Sequence, residues 1–339
     1  MRAVRKLLVA LPLSTLVAVG CTRTPEAAQT GGSAQVSEPV QRASSSETPT
    51  AAPPAGSIVF GRWDPAIEDQ VLFTVNPDGS GLHQVIPGKP VATECPHWFP
   101  DGSRILACSR KGVAQIINPA TGSSRIVEPS PMPGVLFGCS RMFPDGERLQ
   151  CGRYDHAAGL YSVRSSDLGD LRRITSNPGG SDEGLAFSPD SKQLFFGRTD
   201  PDRNSALNTA FFVVNVDGTD LQRITPWLLS DAVRIDEGSW SPDGRWILYD
   251  RDHQIHAVRP DGSGDHRIQI DVPGSDQANA LYPDWSPNGR WIVFSMSFPG
   301  VDALNLYVMR ADGSNVRQIT TAMPGTQELG EGDEYPDWG

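Results

Sequence analysis

Two nearly identical stretches carry residue types that could do chemistry. Residues 240–251 read WSPDGRWILYDR, and residues 285–296 read WSPNGRWIVFSM, 45 residues later. The first stretch offers a hydroxyl at Ser241 and a carboxylate at Asp243. Either the motif is an active site present twice, or it is one structural unit built more than once.

The spacing of the motif along the chain separates these two interpretations. Its proline recurs at Pro100, Pro144, Pro189, Pro242 and Pro287, in steps of 44, 45, 53 and 45 residues. A period of this length is typical of propellers and solenoids. Serine is replaced by Phe99 in one copy and aspartate by Asn288 in another. A catalytic residue would not be needed five times and be replaceable, so we interpret Pro and Asp-Gly as turn residues.

Each copy is followed by a second repeated segment. LFTVNPDGSGLHQVI begins at Leu72, FFVVNVDGTDLQRIT at Phe211 and LYVMRADGSNVRQIT at Leu306. Alternating apolar and polar residues interrupted by Asp-Gly indicate strand, turn and strand. One unit therefore has four strands, which we call a to d. Four-stranded units arranged around an axis are the blades of a β-propeller.

The number of units predicts the architecture. Strand b begins near Ile58, Ile105, Leu149, Leu194, Ile247 and Ile292. The segment EYPDWG at 334–339 repeats LYPDWS at 281–286, a strand a, and supplies the strand that the first unit lacks. We therefore predict an all-β fold. It is a six-bladed β-propeller of four-stranded blades over residues 57–339, closed by the C-terminal strand joining the first blade.

The repeat [FW]-S-P-D-G-x-x-[IL], followed by D-G-[ST]-x-x-x-x-[IL]-T, resembles the WD-like repeat of TolB-type propellers. The resemblance covers nearly the whole globular part. It implies a periplasmic protein that binds envelope proteins and translocating peptides. TolB has an additional α/β domain before its propeller, whereas here we expect only a tether in that place.

The N-terminal segment is typical of an export signal. Residues 1–20 contain three basic side chains followed by an apolar run too short to span a bilayer. The run ends just before Cys21, and this pattern resembles a bacterial lipoprotein signal in which Cys21 is lipidated. An ordinary signal peptide with a chance cysteine is the alternative. Residues 21–56, rich in Ser, Thr, Pro and Ala, predict a disordered tether from this lipidated cysteine to the propeller.

The charge excludes some partners. The formal net charge is -11, and removal of residues 1–20 gives 26 basic minus 40 acidic side chains, or -14. An acidic chain disfavours nucleic acid and anionic lipid headgroups. We expect a monomer in the bacterial cell envelope, facing the periplasm or the exterior. The lipid anchor would hold it to the membrane surface.

Four further cysteines occupy matching places in two consecutive units. In an antiparallel hairpin the residue numbers of two opposed residues add up to a constant. The turn at residues 100–103 implies a sum near 203, and the turn at residues 144–147 implies a sum of 291. Cys95 with Cys108 gives 203, and Cys139 with Cys151 gives 290. We predict these two hairpin disulfides, which suit an oxidising compartment. Pairing between the two blades is the main alternative.

Enzyme signatures are not found in the sequence. It contains no G-x-S-x-G, H-E-x-x-H or C-x-x-C motif. We predict no catalytic residue and favour a protein that is not an enzyme. His97 aligns with Asp284 and Asp337 directly before the strand-a tryptophan, and it is a minor candidate for a metal ligand.

The two faces of the predicted propeller differ. The a–b and c–d turns lie on one face, the turn face, and they repeat. The b–c and d–a loops lie on the other, the loop face, and they are irregular and acidic. Variable loops on a rigid scaffold are the usual place for binding.

Carboxylates are predicted to ring one mouth of the central channel on the loop face. They are Glu94, Glu183, Asp236 and Glu334, together with the adjoining Asp182, Glu237 and Asp333. Such a ring could hold Ca²⁺, the one cofactor we consider, or the basic end of a peptide. Solvated side chains that pair with loop donors are the alternative.

These observations favour an envelope lipoprotein whose propeller binds an envelope protein or basic peptide through its loop face. Two alternatives stay open. One is an envelope hydrolase or lyase acting at the channel mouth, and the other is a purely structural envelope protein.

Overall fold

The structure is a computed structural model that describes residues 55–87, 94–108, 114–127, 137–153, 157–200, 202, 207–229, 233–301, 303–323 and 332–339. All of them belong to the unit Pro49–Gly339. The signal segment, Cys21 and nearly all of the tether lie outside the described residues. Within the described strands, the side chains of Glu94, Cys95 and Asp236 are also outside the description.

The strands fall into six antiparallel sheets, one for each predicted blade. Blade 1 contains β1 (Ile58–Asp64), β2 (Asp69–Val75), β3 (His83–Gln84) and the last strand, β25 (Asp333–Trp338). Blade 2 contains β4 (Glu94–Trp98), β5 (Ile105–Cys108), β6 (Ala114–Asn118) and β7 (Ser123–Val127). Blade 3 contains β8 (Phe137–Met142), β9 (Arg148–Arg153), β10 (Gly159–Arg164) and β11 (Arg172–Arg173).

The second half of the ring follows the same plan. Blade 4 contains β12 (Ser181–Phe187), β13 (Gln193–Thr199), β14 (Leu207–Asn215) and β15 (Gln222–Arg223), and β16 (Leu228–Leu229) adds to β14. Blade 5 contains β17 (Val233–Trp240), β18 (Ile247–Arg251), β19 (Gln254–Val258) and β20 (His266–Arg267). Blade 6 contains β21 (Asn279–Trp285), β22 (Trp291–Ser297), β23 (Asn305–Arg310) and β24 (Arg317–Gln318). The six-bladed fold class is confirmed. The described residues contain no helix long and apolar enough to cross a membrane.

The ring closes as predicted. β25 pairs antiparallel with β1, with Ile58 opposite Trp338 and Arg62 opposite Asp333. Ser57 and Gly339 extend the pairing through two backbone hydrogen bonds of 3.1 Å. Blade 1 is therefore made from both ends of the propeller sequence, and its inner strand is the last one.

The core consists of layers between neighbouring blades. On β1, Ile58 and Phe60 pack in a cluster with blade 6, whereas Val59 between them packs in a cluster with blade 2. Successive strand residues point to opposite faces, and both faces of the blade are covered here. This explains why the strand-b segments are continuously apolar rather than alternating.

The Ser-Pro-Asp-Gly motif forms the a–b turn. Ser241 Oγ donates to Asp243 Oδ1 (2.7 Å) and accepts from the backbone N–H of Trp246 (2.9 Å). Gly244 has φ of 73°, in the left-handed region that glycine tolerates. The hydroxyl and the carboxylate are both engaged within the turn, which confirms the structural interpretation of the motif.

Every inner strand has a register irregularity that the sequence analysis did not anticipate. In β17 the shift lies between Val233 and Gly238, and in β21 it lies between Leu281 and Asp284. Tyr282 and Tyr335 have φ of 55° and 54° and stack on one another at 4.3 Å between ring centroids. A bulge changes the side to which later side chains project. We call the last residue of each inner strand its anchor; the anchors are Trp98, Met142, Phe187, Trp240, Trp285 and Trp338. Counting back along the sequence from an anchor therefore misplaces the residues upstream of the bulge.

One disulfide lies within the described part of blade 3. Cys139 and Cys151 are opposite one another in the β8–β9 ladder and are bonded, with their Cα atoms 3.9 Å apart. Cys108 is also disulfide-bonded. The side chain of Cys95, its predicted partner, lies outside the described residues.

Candidate functional site

The predicted carboxylate ring divides into residues with different surroundings. Asp333 is fully buried, and both of its oxygens accept hydrogen bonds from Arg62, each at 2.6 Å. Asp182 is held in the same way by Arg198, at 2.7 Å for both bonds. Burial raises the pKa of Asp333, and the Arg62 guanidinium opposes that shift. These two carboxylates join strands a and b of their own blades.

Two other predicted residues stay at the loop-side end of the inner strands. Glu334 is 3% exposed and accepts a hydrogen bond from Gln70 Nε2 at 2.8 Å. Glu183 is half-buried. The side chains of Glu94 and Asp236 are not among those described, so their part in a ring stays a prediction. No cluster of three or more His, Cys, Asp or Glu suited to a metal ion occurs among the described residues.

Glu237 is buried, and its Oε2 accepts from Arg141 Nη2 at 2.5 Å. Arg141 belongs to blade 3 and Glu237 to blade 5, so the contact spans the channel past blade 4. Glu237 is therefore part of a buried group, and its place in the predicted carboxylate ring stays a prediction.

This buried group, the axial cluster, joins five of the six inner strands. Its members are His97, Arg141, Glu237, Ser239, Asp284 and Asp337. The sixth inner strand, β12, contributes Leu185 and Ala186 to the same cavity of about 180 Å³. All six inner strands line that cavity, which places it on the propeller axis.

His97 lies between a cation and a carboxylate. Arg141 Nη1 contacts both ring nitrogens of His97, and Nδ1 lies 2.8 Å from Asp337 Oδ1. Burial and the neighbouring Arg141 lower the pKa of His97 to about 3, so the imidazole is neutral near pH 7. A neutral imidazole accepts at one nitrogen and donates at the other, so His97 can bridge Arg141 and Asp337.

Three members of the axial cluster cap the tryptophan of the next blade. Asp337 accepts from the backbone N–H of Trp98 at 2.8 Å, and Asp284 accepts from that of Trp338 at 2.8 Å. Ser239 Oγ accepts from Trp285 N at 3.2 Å while donating to Asp284 at 2.5 Å. In blades 1, 5 and 6 the residue before the last residue of the inner strand thus fastens the blade to the following one.

The axial cluster holds more carboxyl groups than cations. Burial raises the pKa of Asp284 to about 7, and repulsion from Asp337 adds to that shift. Burial likewise raises the pKa of Asp337 to about 6 and also raises that of Glu237. About a fifth of the Asp337 side chain is exposed, and Asp337 lines the axial cavity. The arrangement can take up protons near neutral pH. Ser239 donates to Asp284 rather than to His97, so the described contacts form no nucleophile–base relay.

Sequence reasoning singled out His97, Asp284 and Asp337 by their alignment but did not join them. It missed Arg141 and Ser239. The available signal was a polar residue directly before the anchor in five of six inner strands, where Ala186 is the exception.

Comparisons with known proteins agree with this architecture. No protein-family model matches the chain, and no curated protein matches it. A protein assigned to TolB from Agrobacterium tumefaciens is 22% identical with a TM-score of 0.59, over 79% of this chain and 90% of that one. TolB from Acinetobacter baumannii is 18% identical with a TM-score of 0.60, over 84% of this chain and 66% of that one. A chain of a nidogen–laminin complex is 10% identical with a TM-score of 0.57, over 82% and 97%. The chain therefore has the fold of the TolB-type six-bladed β-propellers.

Proposed function

We propose that this chain is a cell-envelope lipoprotein, anchored through Cys21, whose propeller binds a positively charged protein or peptide on its loop face. The observation that carries the proposal is a pair of neighbouring loops with apolar tips beside exposed carboxylates. The loops are residues 65–68, after β1, and residues 298–301 with 303, after β22.

The two loops belong to adjacent blades and are fastened together. The backbone N–H of Trp63 donates to the carbonyl of Gly332 at 2.8 Å. Gly332 also forms a parallel bridge with Leu304. A single backbone segment thus links the base of one loop to the base of the other, so that both present one surface.

The chemistry of this surface suits a basic partner with an apolar side chain. Ile67 is 44% exposed and Val301 is 55% exposed. Glu68 and Asp69 are exposed beside Ile67, and within the described ranges neither has an ion-pair partner. Desolvated apolar contacts supply affinity, whereas rim charges mainly speed association and select the partner. The net charge of -11 attracts a cationic partner over longer distances.

The entry point of the chain leaves this surface free. Ser57 forms backbone hydrogen bonds with Gly339, the residue directly after the inner strand β25. The C-terminal end of β25 lies at the turn face, so Ser57 lies there too. A tether from a lipidated Cys21 would therefore reach the propeller on the side opposite the loop face. A partner could approach the loop face while the protein is held at a membrane surface.

Affinity capture tests the proposal. The full-length protein in detergent is incubated with bacterial envelope extract. We expect a bound protein that high salt releases and that the Ile67→Ser/Glu68→Gln double variant fails to retain. The matched control is Glu147→Gln, which removes an exposed carboxylate from the turn face. Equal retention by the double variant, or loss with the control variant, contradicts the proposal.

A further inference from the structure

A recess on the turn face lies between blades 5 and 6, away from both the axial cluster and the loop face. It has a volume of about 530 Å³, and the side chains of Trp246 and Trp285 line it. Small-molecule sites have volumes of about 300–1,000 Å³ and commonly have aromatic walls. The recess is independent of the partner surface proposed above.

Trp246 separates this recess from a second one. The second has a volume of about 560 Å³ and is lined by Trp246 together with Arg245 and Arg259. The Arg259 guanidinium lies 5.2 Å from the Trp246 ring centroid, and the His266 ring meets the indole edge-on at the same distance. The indole therefore borders both recesses, and the Arg259 guanidinium covers part of its ring.

The same position in the next blade is closed. Trp291 follows the a–b turn of blade 6 as Trp246 follows that of blade 5. Trp291 is only 3% exposed and packs in the cluster between blades 6 and 1, whereas Trp246 is half-buried. An arginine lies over each indole, Arg310 at 5.7 Å and Arg259 at 5.2 Å, so this contact does not distinguish the two blades. Blade 5 thus leaves part of its indole accessible, whereas the indole of its nearest copy is buried.

The charges around Trp246 balance. Asp243 and Asp261 face Arg245 and Arg259, so the formal charges of these four residues sum to zero in a protein of net charge -11. The nearest approach of Arg245 to Asp243 is 3.9 Å between exposed side chains. Donors and acceptors are therefore both available to a ligand, and no net charge favours an ionic one.

We propose that the recesses flanking Trp246 bind hexopyranose units of a neutral glycan. The flat C–H face of a pyranose ring stacks on an indole, and neighbouring hydroxyls donate to a carboxylate and accept from a guanidinium. A purely apolar ligand would make no use of the four charged groups around the indole. An ionic ligand would gain little, because the positive and negative charges of the lining cancel. A neutral sugar uses both the aromatic surface and the surrounding hydrogen-bonding groups.

Calorimetric titration of the full-length protein with chitotriose, cellotriose and maltotriose tests this inference. We expect saturable binding of at least one trisaccharide, weakened about tenfold or more in Trp246→Leu and several-fold in Arg259→Gln. Thermal melting of both variants checks that they are folded, and Arg259→Gln serves if Trp246→Leu is not. Lys192→Gln is the matched control, because Lys192 occupies in blade 4 the turn position that Arg245 occupies in blade 5.

Three outcomes overturn the proposal. None of the three sugars binds at millimolar concentration, or the sugar that binds does so equally well to a folded Trp246→Leu or Arg259→Gln variant. The third outcome is binding of a peptide with the sequence of residues 47–56, ETPTAAPPAG, in place of the sugars, which assigns the tryptophan surface to the chain's own proline-rich segment.

Discussion

Polar side chains are used differently at the turn face and in the channel. At the turns, contacts are local: Ser80 Oγ donates to Asp78 two residues away, at 2.6 Å. In the channel, partners are distant: Arg141 of blade 3 reaches Glu237 of blade 5 across 96 residues. A contact within one unit recurs when the unit recurs, as Arg62 with Asp333 recurs in Arg198 with Asp182, whereas a contact between blades needs a partner in another repeat. Repeated residues in this chain therefore belong to the scaffold, and unrepeated polar residues mark the places where blades meet.

The largest effect on stability is expected where a buried ion pair loses one of its two side chains. Arg62→Met leaves the buried Asp333 carboxylate without its guanidinium and should lower the free energy of unfolding by about 3–5 kcal/mol. Urea unfolding measures this. Adding Asp333→Asn should restore part of the loss, because the unpaired charge is then removed. Arg245→Gln at the turn face should change stability by less than about 0.5 kcal/mol. Equal losses of stability in Arg62→Met and Arg245→Gln would contradict the view that buried ion pairs matter more than contacts at the turn face.

Loss of the blade 3 disulfide is expected to be the next largest effect. Cys139→Ala/Cys151→Ala releases a cross-link that spans 12 residues and should lower the free energy of unfolding by about 2–4 kcal/mol. Peptide mapping without reduction should recover Cys139 joined to Cys151, and Cys108 joined to Cys95. Free thiols in the denatured, unreduced protein would refute the pairing.

The next effect concerns pH. Asp284 has a folded-state pKa raised from 3.8 to about 7, so the folded protein binds more protons than the unfolded chain between those values. Stability should therefore fall as pH rises from about 4 to about 7, by up to about 4 kcal/mol. In Asp284→Asn this decline should flatten, because the amide can still accept from Trp338 N.

The control for this pH dependence lies at the turn face. Hydrogen bonds from Ser314 lower the pKa of Asp312. Asp312→Asn should therefore leave the slope between pH 4 and 7 unchanged. Melting temperatures of the wild type, Asp284→Asn and Asp312→Asn, recorded between pH 4 and 7, test this pH dependence. A wild-type stability that rises with pH would contradict the raised pKa of Asp284.

The smallest effect is expected within the repeated turn. Asp243→Asn makes the blade 5 turn identical in this residue to the blade 6 turn, where Asn288 Oδ1 already accepts from Arg290 N at 3.0 Å. The corresponding contact of Asp243, with Arg245 N, is also 3.0 Å. The change in the free energy of unfolding should be below about 0.5 kcal/mol by urea titration. A cost above 1 kcal/mol would show that the aspartate has a role beyond the turn.

The repeat made most of the fold predictable. The spacing of five prolines placed five of the six strands b, and the likeness of 334–339 to 281–286 predicted the closing strand of the first blade. Index sums placed Cys139 opposite Cys151, although the sum of 290 missed the turn-based value by one. That discrepancy is the bulge between Cys139 and Arg141, which inserts one residue into the inner strand.

The candidate site was less predictable for the same physical reason. Counting from Trp240 does not allow for the bulge in β17, so it did not predict the contact of Glu237 with Arg141. That contact joins two blades that are not consecutive, so no spacing within one repeat indicates it. A recurring arginine at the end of strand b, at Arg62 and Arg198, was a usable signal for the buried aspartates Asp333 and Asp182.

The pairing of β1 with β25 also sets an order of events in the life of the chain. A ribosome or an export channel delivers the N-terminal end of a chain first. Blade 1 therefore has only three strands and one unpaired edge until the C-terminal strand follows. Only when residues 333–338 emerge can that edge be filled. Until then the edge of β1 has no partner strand, so an incomplete chain exposes a strand edge that the finished propeller covers.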